Sequence, residues 1–239
     1  LQRRRQRQMC IRDRNKSIDT ELELRINYLS SFGELLESFF SDENHSENPK
    51  LKLAIENAEN YNSWFSKKNI INALKYWMVK LRKDKLETWI SKYNLQNVNY
   101  KVAIIMAGNF PLAGLHDLIC VIITGNKAII KPSSNDKILI NFFVEFLHEK
   151  FTETTKIIEI TTEKLGDFDK VIATGSNNTF KYFEYYFREK KSLLRKNRTS
   201  IAVLSGTETN DELRLLSDDI FMYFGLGCRN ISKIFIPRN

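Results

Sequence analysis

The sequence predicts an α/β fold in which a doubly wound parallel sheet follows a helical N-terminal region. Apolar residues recur at helical spacing over residues 15–100, which contain no run of strand-like alternation. From residue 101 onward, short apolar runs alternate with helical segments, as in parallel sheets whose strands are buried on both faces. The chain has 239 residues, of which 42% are apolar, so it can bury the core of one large domain or two smaller ones.

Residues 15–100 are predicted to be helical apart from one polar loop at residues 41–49. The buried helix faces are formed by apolar residues three or four positions apart: Ile26, Leu29, Phe32, Leu36, Ile71, Leu74, Met78 and Leu81. Ser66 is placed to be an N-cap, and His45 in the polar loop should be solvated. We expect the three tryptophans of this region to pack in the core: Trp64, Trp77 and Trp89.

The second part of the chain predicts alternating strands and helices. Strands are expected at residues 102–106, 128–131, 157–160, 170–173 and 201–204. Helices are expected at residues 111–123, 136–150, 178–187 and 210–224, with Pro111 in the opening turn of the first. Connections between such strands should be right-handed crossovers.

The positive charge is concentrated at the start of the chain. Residues 1–14 contain six arginines and one aspartate, a net charge of +5 out of +8 for the whole chain. These residues show neither helical nor strand periodicity, which predicts disorder. The run at residues 8–14 resembles translated sequencing-adapter fragments, so we expect residues 1–14 to be a non-native basic tail. The alternative is a basic arm that binds RNA or DNA; without such an arm, no nucleic-acid partner is expected.

The cysteines and the apolar runs exclude several classes of protein. Cys10, Cys120 and Cys228 are odd in number and lack metal-type spacing, so neither a disulfide framework nor a metal site is predicted. The longest uncharged run lies between Lys101 and Asp117 and is too short to span a bilayer. With no signal peptide visible, a reducing cytoplasm is the expected location. His116 and Cys120 are expected in the core, with a partner surface as the alternative, and His148 at the surface.

Cys228 is the candidate nucleophile of this chain. It lies in the run Gly225-Leu226-Gly227-Cys228-Arg229-Asn230, where two glycines allow the backbone to bring a thiol close to a ligand. An inward-pointing Arg229 would lower the thiol pKa, although an exposed arginine is the expectation.

Small and polar residues follow the predicted strands at the edge where α/β sheets bind ligands. They are Ala107-Gly108-Asn109, Lys131-Pro132-Ser133-Ser134 and Thr174-Gly175-Ser176-Asn177. The Gly175 and Ser176 N–H groups would bind a pyrophosphate at a helix start, and Lys131 would reach a ribose or phosphate oxygen. Each segment taken alone is an ordinary strand-to-helix turn, and the common glycine-rich nucleotide fingerprints are absent.

Taken together, these segments resemble the aldehyde dehydrogenase superfamily. The resemblance is carried by GNFPL at residues 108–112, GNKAIIKPS at residues 125–133, ATGS at residues 173–176 and the position of Cys228. Within the superfamily, the chain is most similar to LuxC-type acyl-CoA reductases. That similarity lies in MAGN at residues 106–109, ATGSNNT at residues 173–179, RKNR at residues 195–198, GLGCRN at residues 225–230 and NSWF at residues 62–65.

The resemblance implies a reductase that forms an acyl-enzyme on Cys228, with the Asn109 side chain and the Cys228 N–H as oxyanion donors. It implies a dinucleotide-binding domain at residues 101–199 and the start of a catalytic domain at residues 200–239, truncated at its end. The cofactor-binding residues would be Met106, Ala107, Gly108, Lys131, Ser133, Ser134, Gly175 and Ser176. For Trp64, Trp77 and Trp89, lining an acyl pocket is the alternative to packing in the core.

Two departures from the wider superfamily refine the expected reaction. Residues 190–207 contain no acid, whereas aldehyde-oxidising members carry a glutamate base there, so reduction is favoured over hydrolysis. Ser134 stands where NAD-preferring members often have an acid, which favours NADPH. The expected substrate is a fatty acyl-CoA or acyl-carrier thioester. Two kinds of protein partner are left as alternatives: further copies of the chain in a homo-oligomer, or acyl-transfer proteins. The alternatives are a short-chain CoA-acylating aldehyde dehydrogenase and a non-catalytic dinucleotide-binding or interaction module.

Overall fold

The computed structural model describes the backbone of residues 2–42, 48–95 and 98–238, with side chains from Thr20 onward. Its first part consists of four helices: α1 (Gln2–Ser41), α2 (Pro49–Tyr61), α3 (Lys67–Lys80) and α4 (Lys83–Ile90). The predicted helical region is confirmed. Ser66 caps α3 as predicted, since its Oγ accepts the Asn69 N–H. The predicted solvation of His45 concerns a residue outside the described ones.

The first helix begins earlier than the sequence predicts. Its backbone is helical from Gln2, so the expected disorder is wrong for residues 2–14. Further along α1, Leu29, Phe32 and Leu36 are buried in the core. Once a helix is anchored in this way, each further residue adds a hydrogen bond at little cost, and arginine and glutamine are good helix formers. The non-native origin of the segment stays a prediction.

The second part of the chain forms two parallel sheets. The larger sheet has the order β3-β2-β1-β4-β5 and contains β1 (Lys101–Ile105), β2 (Lys127–Lys131), β3 (Ile158–Ile160), β4 (Lys170–Thr174) and β5 (Lys191–Arg195). Its connecting helices are α5 (Leu115–Ile123), α6 (Lys137–Lys150) and α7 (Asn177–Tyr186). The smaller sheet pairs β6 (Ser200–Val203) with β7 (Ile231–Phe235). The helix α8 (Asn210–Phe221) lies between these two strands in the chain.

Helices cover both faces of the larger sheet, which confirms the doubly wound fold. Alternate side chains of β1 and β2 join the large core with α1, α5 and α6: Val102, Ile104, Ala128 and Ile130. The intervening side chains Ala103 and Ile129, together with Val171 and Ala173 of β4, face a second, smaller core with Phe183 of α7. Strands buried on both faces explain why the sequence shows continuous apolar runs there.

The N-terminal helices pack on the first of these faces. Phe32 of α1 meets Phe143 of α6 edge to face, with ring centroids 4.9 Å apart. Trp77 is buried and Trp89 is half-buried against the same core, as expected. Trp64 is 58% exposed, so the prediction of core packing is wrong for this residue. No helix in the described part of the chain is long and apolar enough to cross a membrane.

Several element boundaries differ from the predicted ones. The helix expected from residue 111 begins at Leu115, and Pro111 lies in the preceding turn, because Leu112 has a left-handed φ of 60° that a helix cannot contain. The sequence missed β5, an edge strand with a largely exposed KSLLR sequence, and β7. The two sheets separate between Arg195 and Ser200, close to the proposed domain boundary, and the domain division itself stays a prediction.

Candidate functional site

The candidate site lies at the carboxyl ends of β1 and β4. From β1 the chain adds β2 and β3 on one side of the sheet and then crosses to add β4 and β5 on the other. The crevice between β1 and β4 is therefore the switch point at which such sheets bind ligands. Ile105 is paired with both Lys131 and Ala173, so the residues that follow these three strands share one edge.

The loop after β1 passes close to the turn after β2. Met106 is buried and donates its N–H to Lys131 O at 3.1 Å, which prolongs the ladder, and Ala107 is half-buried. Gly108 is buried, and an added Cβ would come within 2.4 Å of the Ser133 side chain. The glycine is therefore required by close packing between two protein segments. Asn109 follows as the first exposed residue of the loop.

Cys228 is exposed in a turn between α8 and β7. The chain reaches this turn through three consecutive left-handed residues, with φ of 53° at Tyr223, 56° at Phe224 and 72° at Gly225. Non-glycine residues adopt this conformation only where the surrounding structure holds them, and such strain clusters at functional sites. The Cys228 N–H makes no hydrogen bond within the described residues. Arg229 is exposed, as expected.

Asn230 organises the Cys228 turn and was missed as a functional residue. Its Oδ1 accepts the Gly227 N–H at 2.8 Å. Its Nδ2 donates to backbone carbonyls at the end of α8: those of Asp219 at 2.8 Å, Ile220 at 3.3 Å and Met222 at 3.0 Å. The sequence offers only the asparagine itself as a signal, since its partners lie up to 11 residues away.

Asn109 and the Cys228 turn are in contact. The Asn109 Nδ2 donates a hydrogen bond to the backbone carbonyl of Leu226, two residues before the cysteine. The two residues are 117 positions apart in the sequence. An asparagine amide carries two N–H donors, so one can hold Leu226 while the other binds a ligand oxygen. The structure thus brings the predicted oxyanion donor to the loop of the predicted nucleophile.

The turn after β4 uses its donors differently from the prediction. The Gly175 N–H donates to Arg195 O at 3.1 Å, the last bond of the β4–β5 ladder, so the expectation that it binds a pyrophosphate is corrected. Gly175 instead packs closely on α7, where an added Cβ would lie 3.0 Å from Thr179 and Phe183. Ser176 is exposed and caps α7 by accepting the Thr179 N–H at 3.2 Å. An anion at this turn would meet the free first-turn amides of α7.

The turn after β2 offers a cation and hydroxyl groups at the same edge. Lys131 is half-buried, and its Nζ donates to Glu163 O at 2.9 Å, which leaves two of its three hydrogens for a ligand. Ser133 accepts the Asn135 N–H, and Ser134 is exposed. With the amino end of α7, these donors are suited to a dinucleotide diphosphate. The next acid, Asp136, is only 2% exposed and points inward.

Aromatic side chains pack on Tyr223 and Phe224, which lead into the Cys228 turn. The exposed Trp64 meets Phe224 edge to face, with ring centroids 5.6 Å apart. Phe110, next to Asn109, stacks on Tyr223 with centroids 5.0 Å apart. Trp64 and Phe224 remain 58% and 54% exposed, so these rings form an open apolar surface beside the cysteine.

A partly buried ion pair joins β5 to α5 beneath this edge. Arg195 Nη1 donates to both carboxylate oxygens of Asp117, at 2.7 Å and 2.6 Å. Burial would raise the pKa of Asp117, but His116 and Arg195 outweigh it and lower this pKa. Asp117 and Cys120 together raise the pKa of His116 to about 10. Core placement is wrong for His116, whose side chain is 60% exposed, whereas Cys120 is half-buried.

His148, which is expected at the surface, also differs from its prediction. His148 near the end of α6 is half-buried, and its Nε2 is enclosed without a partner among the described residues. No group of three or more histidine, cysteine, aspartate or glutamate side chains within the described residues could hold a metal ion.

The fold of the chain is similar to the folds of solved aldehyde dehydrogenases. A mutant of aldehyde dehydrogenase C from Pseudomonas syringae, with NAD+ and octanal, matches at 16% identity and a TM-score of 0.65, over 92% of this chain and 47% of that one. Glyceraldehyde-3-phosphate dehydrogenase of Methanocaldococcus jannaschii, complexed with NADP, matches at 15% identity and a TM-score of 0.65, over 95% and 55%. The chain thus spans about half the length of these structures.

A third match is aldehyde dehydrogenase 21 of Physcomitrella patens with its product succinate, at 13% identity and a TM-score of 0.66, over 89% of this chain and 48% of that one. Identities this low establish the fold alone. A comparison with curated proteins finds no match. The family model described as acyl-CoA reductase (LuxC), however, matches residues 19–238, which include every candidate site residue named above. The chain therefore belongs to the acyl-CoA reductase (LuxC) family, as its sequence motifs predict.

Proposed function

We propose that the protein acts as an acyl-CoA reductase that converts a long-chain fatty acyl thioester into a fatty aldehyde with NADPH, through an acyl-enzyme on Cys228. The hydrogen bond from Asn109 Nδ2 to Leu226 O carries this proposal, because it joins the oxyanion donor to the loop of the nucleophile. Membership of the LuxC family supports the same reaction.

The first half of the reaction transfers the acyl group to the protein. The Cys228 thiolate attacks the thioester carbonyl carbon, and the π electrons of the carbonyl move to its oxygen. The second N–H of the Asn109 amide and the Cys228 N–H then stabilise this oxyanion, each by on the order of 3 kcal/mol. Collapse of the tetrahedral intermediate breaks the bond to the CoA sulfur and leaves the acyl group on Cys228.

The second half reduces this new thioester. NADPH, when held by Lys131 and the amino end of α7, would supply the hydride for the acyl carbon, and the overall balance would be one acyl-CoA, one NADPH and one proton to one aldehyde, one CoA and one NADP+. The same oxyanion donors serve again, and Cys228 leaves as a thiolate when the aldehyde is released. A base that activates water would divert the acyl-enzyme to hydrolysis, and residues 190–207 contain no acid to do this.

The choice of NADPH is supported by the residues after β2. Ser134 is exposed there and carries no negative charge that would repel a 2′-phosphate. Asp136 is turned inward onto the Leu112 N–H, at 2.6 Å, so it cannot hold ribose hydroxyls in the manner of an acid at this turn. Lys131 provides a positive charge at the same edge.

A fatty acyl chain would lie on the aromatic surface beside the cysteine. Trp64 and Phe224 expose large apolar areas, and an alkyl chain placed across them gains about 0.8 kcal/mol for each buried methylene. Phe110 and Tyr223, stacked together, would extend the surface toward Asn109.

The test uses the enzyme in its full-length form. Purified protein is incubated with NADPH and a series of acyl-CoAs of increasing chain length, and aldehyde formation is followed together with NADPH oxidation. We expect turnover with long-chain substrates, and mass spectrometry should find the acyl group on Cys228 when NADPH is withheld. Cys228→Ala should abolish turnover, whereas Cys120→Ala, which removes the other described free cysteine, should retain it.

Two results would contradict the proposal. Turnover that survives Cys228→Ala would exclude the covalent route. No turnover with any chain length or with NADH would favour a dinucleotide-binding module over an enzyme.

A further inference from the structure

Asp136 is a buried carboxylate next to the loop that carries Asn109. It lies in a short 3-10 turn, Ser134–Asp136, between β2 and α6, and only 2% of its surface is exposed. Desolvation by burial raises its pKa well above the usual range, against the opposing effect of the nearby Leu112 and Ala113 N–H groups. No step proposed above uses this group.

The carboxylate holds the far end of the Asn109 loop. Its Oδ2 accepts the Leu112 N–H at 2.6 Å, whereas the next amide, the Ala113 N–H, donates to Phe110 O at 3.2 Å. Leu112 has a φ of 60°, a left-handed conformation that leucine adopts only when surrounding contacts hold it there. The hydrogen bond from Leu112 to Asp136 supplies such a constraint.

The turn at residues 133–136 also contacts the other end of the Asn109 loop, at Gly108. Ser133 lies against Gly108, leaving no room for a Cβ at the glycine, as described above. The Asp136 N–H donates to Ser133 O at 3.1 Å, which joins the two residues into one turn. Asn109 therefore lies between two contacts made by residues 133–136.

We propose that Asp136 is a positioning residue for acyl transfer, which fixes the loop of residues 108–112 so that the Asn109 amide faces the Cys228 turn. The inference rests on the proposed function, since it takes Asn109 as the oxyanion donor. The Oδ1 atom of Asp136 has no hydrogen-bond partner among the described residues. Burying such an oxygen is unfavourable, and an apolar residue would fill the core without this penalty. The carboxylate is therefore best explained by the strained loop that it holds.

The test is a double-mutant cycle in the full-length enzyme, with the rate of Cys228 acylation by acyl-CoA as the readout. Asp136→Ala leaves the Leu112 N–H without its acceptor and should slow acylation about 100-fold, the effect of misplacing a reacting group by about 1 Å. Asp136→Asn keeps one acceptor oxygen and should recover part of this loss. In an Asn109→Ala background, Asp136→Ala should cause little further slowing, because the donor that it positions is already gone.

A second readout does not depend on activity. Amide hydrogen exchange should be faster at Leu112 in both Asp136 variants than in the wild type, with unchanged exchange in α3. The matched control is Asp169→Asn. The Asp169 Oδ2 accepts the Lys101 N–H at 2.7 Å, so it holds the start of β1, whereas the Asn109 loop follows the end of β1. This variant should acylate at the wild-type rate.

The outcomes separate the two proposals. If Asp136→Ala slows acylation by the same factor with and without Asn109, or if Leu112 exchange does not change, the positioning role is overturned. If Asn109→Ala leaves acylation unchanged, the oxyanion role in the proposed function fails, and the positioning role, which depends on it, fails too. Should Asp136→Ala not fold, Asp136→Asn and the exchange measurement decide alone.

Discussion

Arg195 at the end of β5 donates hydrogen bonds to both carboxylate oxygens of Asp117 in α5, 78 positions away in the sequence. The pair also lies next to the turn after β4, because Arg195 O accepts the Gly175 N–H. One residue thus secures an edge strand to the sheet and to a helix on its first face. The Asp117 side chain is 9% exposed and that of Arg195 is 33% exposed, so the pair is only partly screened by water.

Asp117→Asn should destabilise the protein, because it leaves the Arg195 guanidinium half-enclosed without its counter-charge. Breaking a fully buried pair costs about 3–5 kcal/mol, and the exposure of Arg195 lowers our expectation to about 2 kcal/mol. Urea unfolding followed by circular dichroism measures the change. The control is Asp84→Asn, which breaks the exposed pair with Arg82 and should have no measurable effect. If both variants lowered the free energy of unfolding by the same amount, burial would not explain the contribution of the Asp117–Arg195 pair.

His116 should make the stability pH-dependent on the alkaline side. Its pKa is raised to about 10, chiefly by Asp117, whose Oδ1 lies 3.9 Å from His116 Nδ1, against about 6.5 in the unfolded chain. The protonated imidazole therefore contributes fully below pH 6.5, and its contribution is lost as the pH rises toward 10. His116→Gln should lower the unfolding midpoint at pH 6 and not at pH 10.5. A difference that does not vary with pH, or that persists in an Asp117→Asn background, would contradict this assignment.

The sequence predicts the larger sheet well because its central strands are buried on both faces. Val102 to Met106 and Ala128 to Ile130 are continuous apolar runs, a pattern that local composition reveals directly. The edge strand β5 has no such pattern, since Lys191 to Leu193 are exposed and the strand is defined by its pairing with β4. Its existence depends on a tertiary contact that local sequence does not encode.

The candidate site also contains residues that local sequence predicts and residues that only tertiary contacts reveal. Cys228 and Asn109 could be predicted from their motifs, since each lies at a loop with distinctive glycines. The roles of Asn230 and Asp136 could not, because both act by hydrogen bonds to backbone atoms of other segments. The exposure of Trp64 could not be predicted either. An aromatic residue near a helix boundary has the same sequence signal whether it packs inside the core or faces a ligand.

Gly227→Ala should disturb the Cys228 turn more than the fold. An added Cβ would lie 2.4 Å from Asn230 Oδ1, so it would push away the side chain that ties the turn to α8. We expect acylation of Cys228 to slow at least about tenfold, with only a small change in melting temperature, since the turn is largely exposed. Gly166→Ala is the control, because an added Cβ there meets nothing within 4 Å, and it should be neutral. Wild-type acylation in Gly227→Ala would show that the Asn230 tie is dispensable.

Trp64→Ala tests the aromatic surface as the site of the acyl chain. The ring is 58% exposed and touches Phe224, so its removal takes little from the core and much from any alkyl chain that lies on it. We expect kcat/KM of the full-length enzyme to fall about tenfold or more for long-chain acyl-CoA, which corresponds to two buried methylenes, and to change little for acetyl-CoA. Tyr93→Ala removes an equally exposed aromatic ring that lies beyond the end of α4 and should leave both values unchanged. A uniform loss across all chain lengths would instead mean that Trp64 supports the Cys228 turn through Phe224, because a structural defect slows the reaction of every thioester alike.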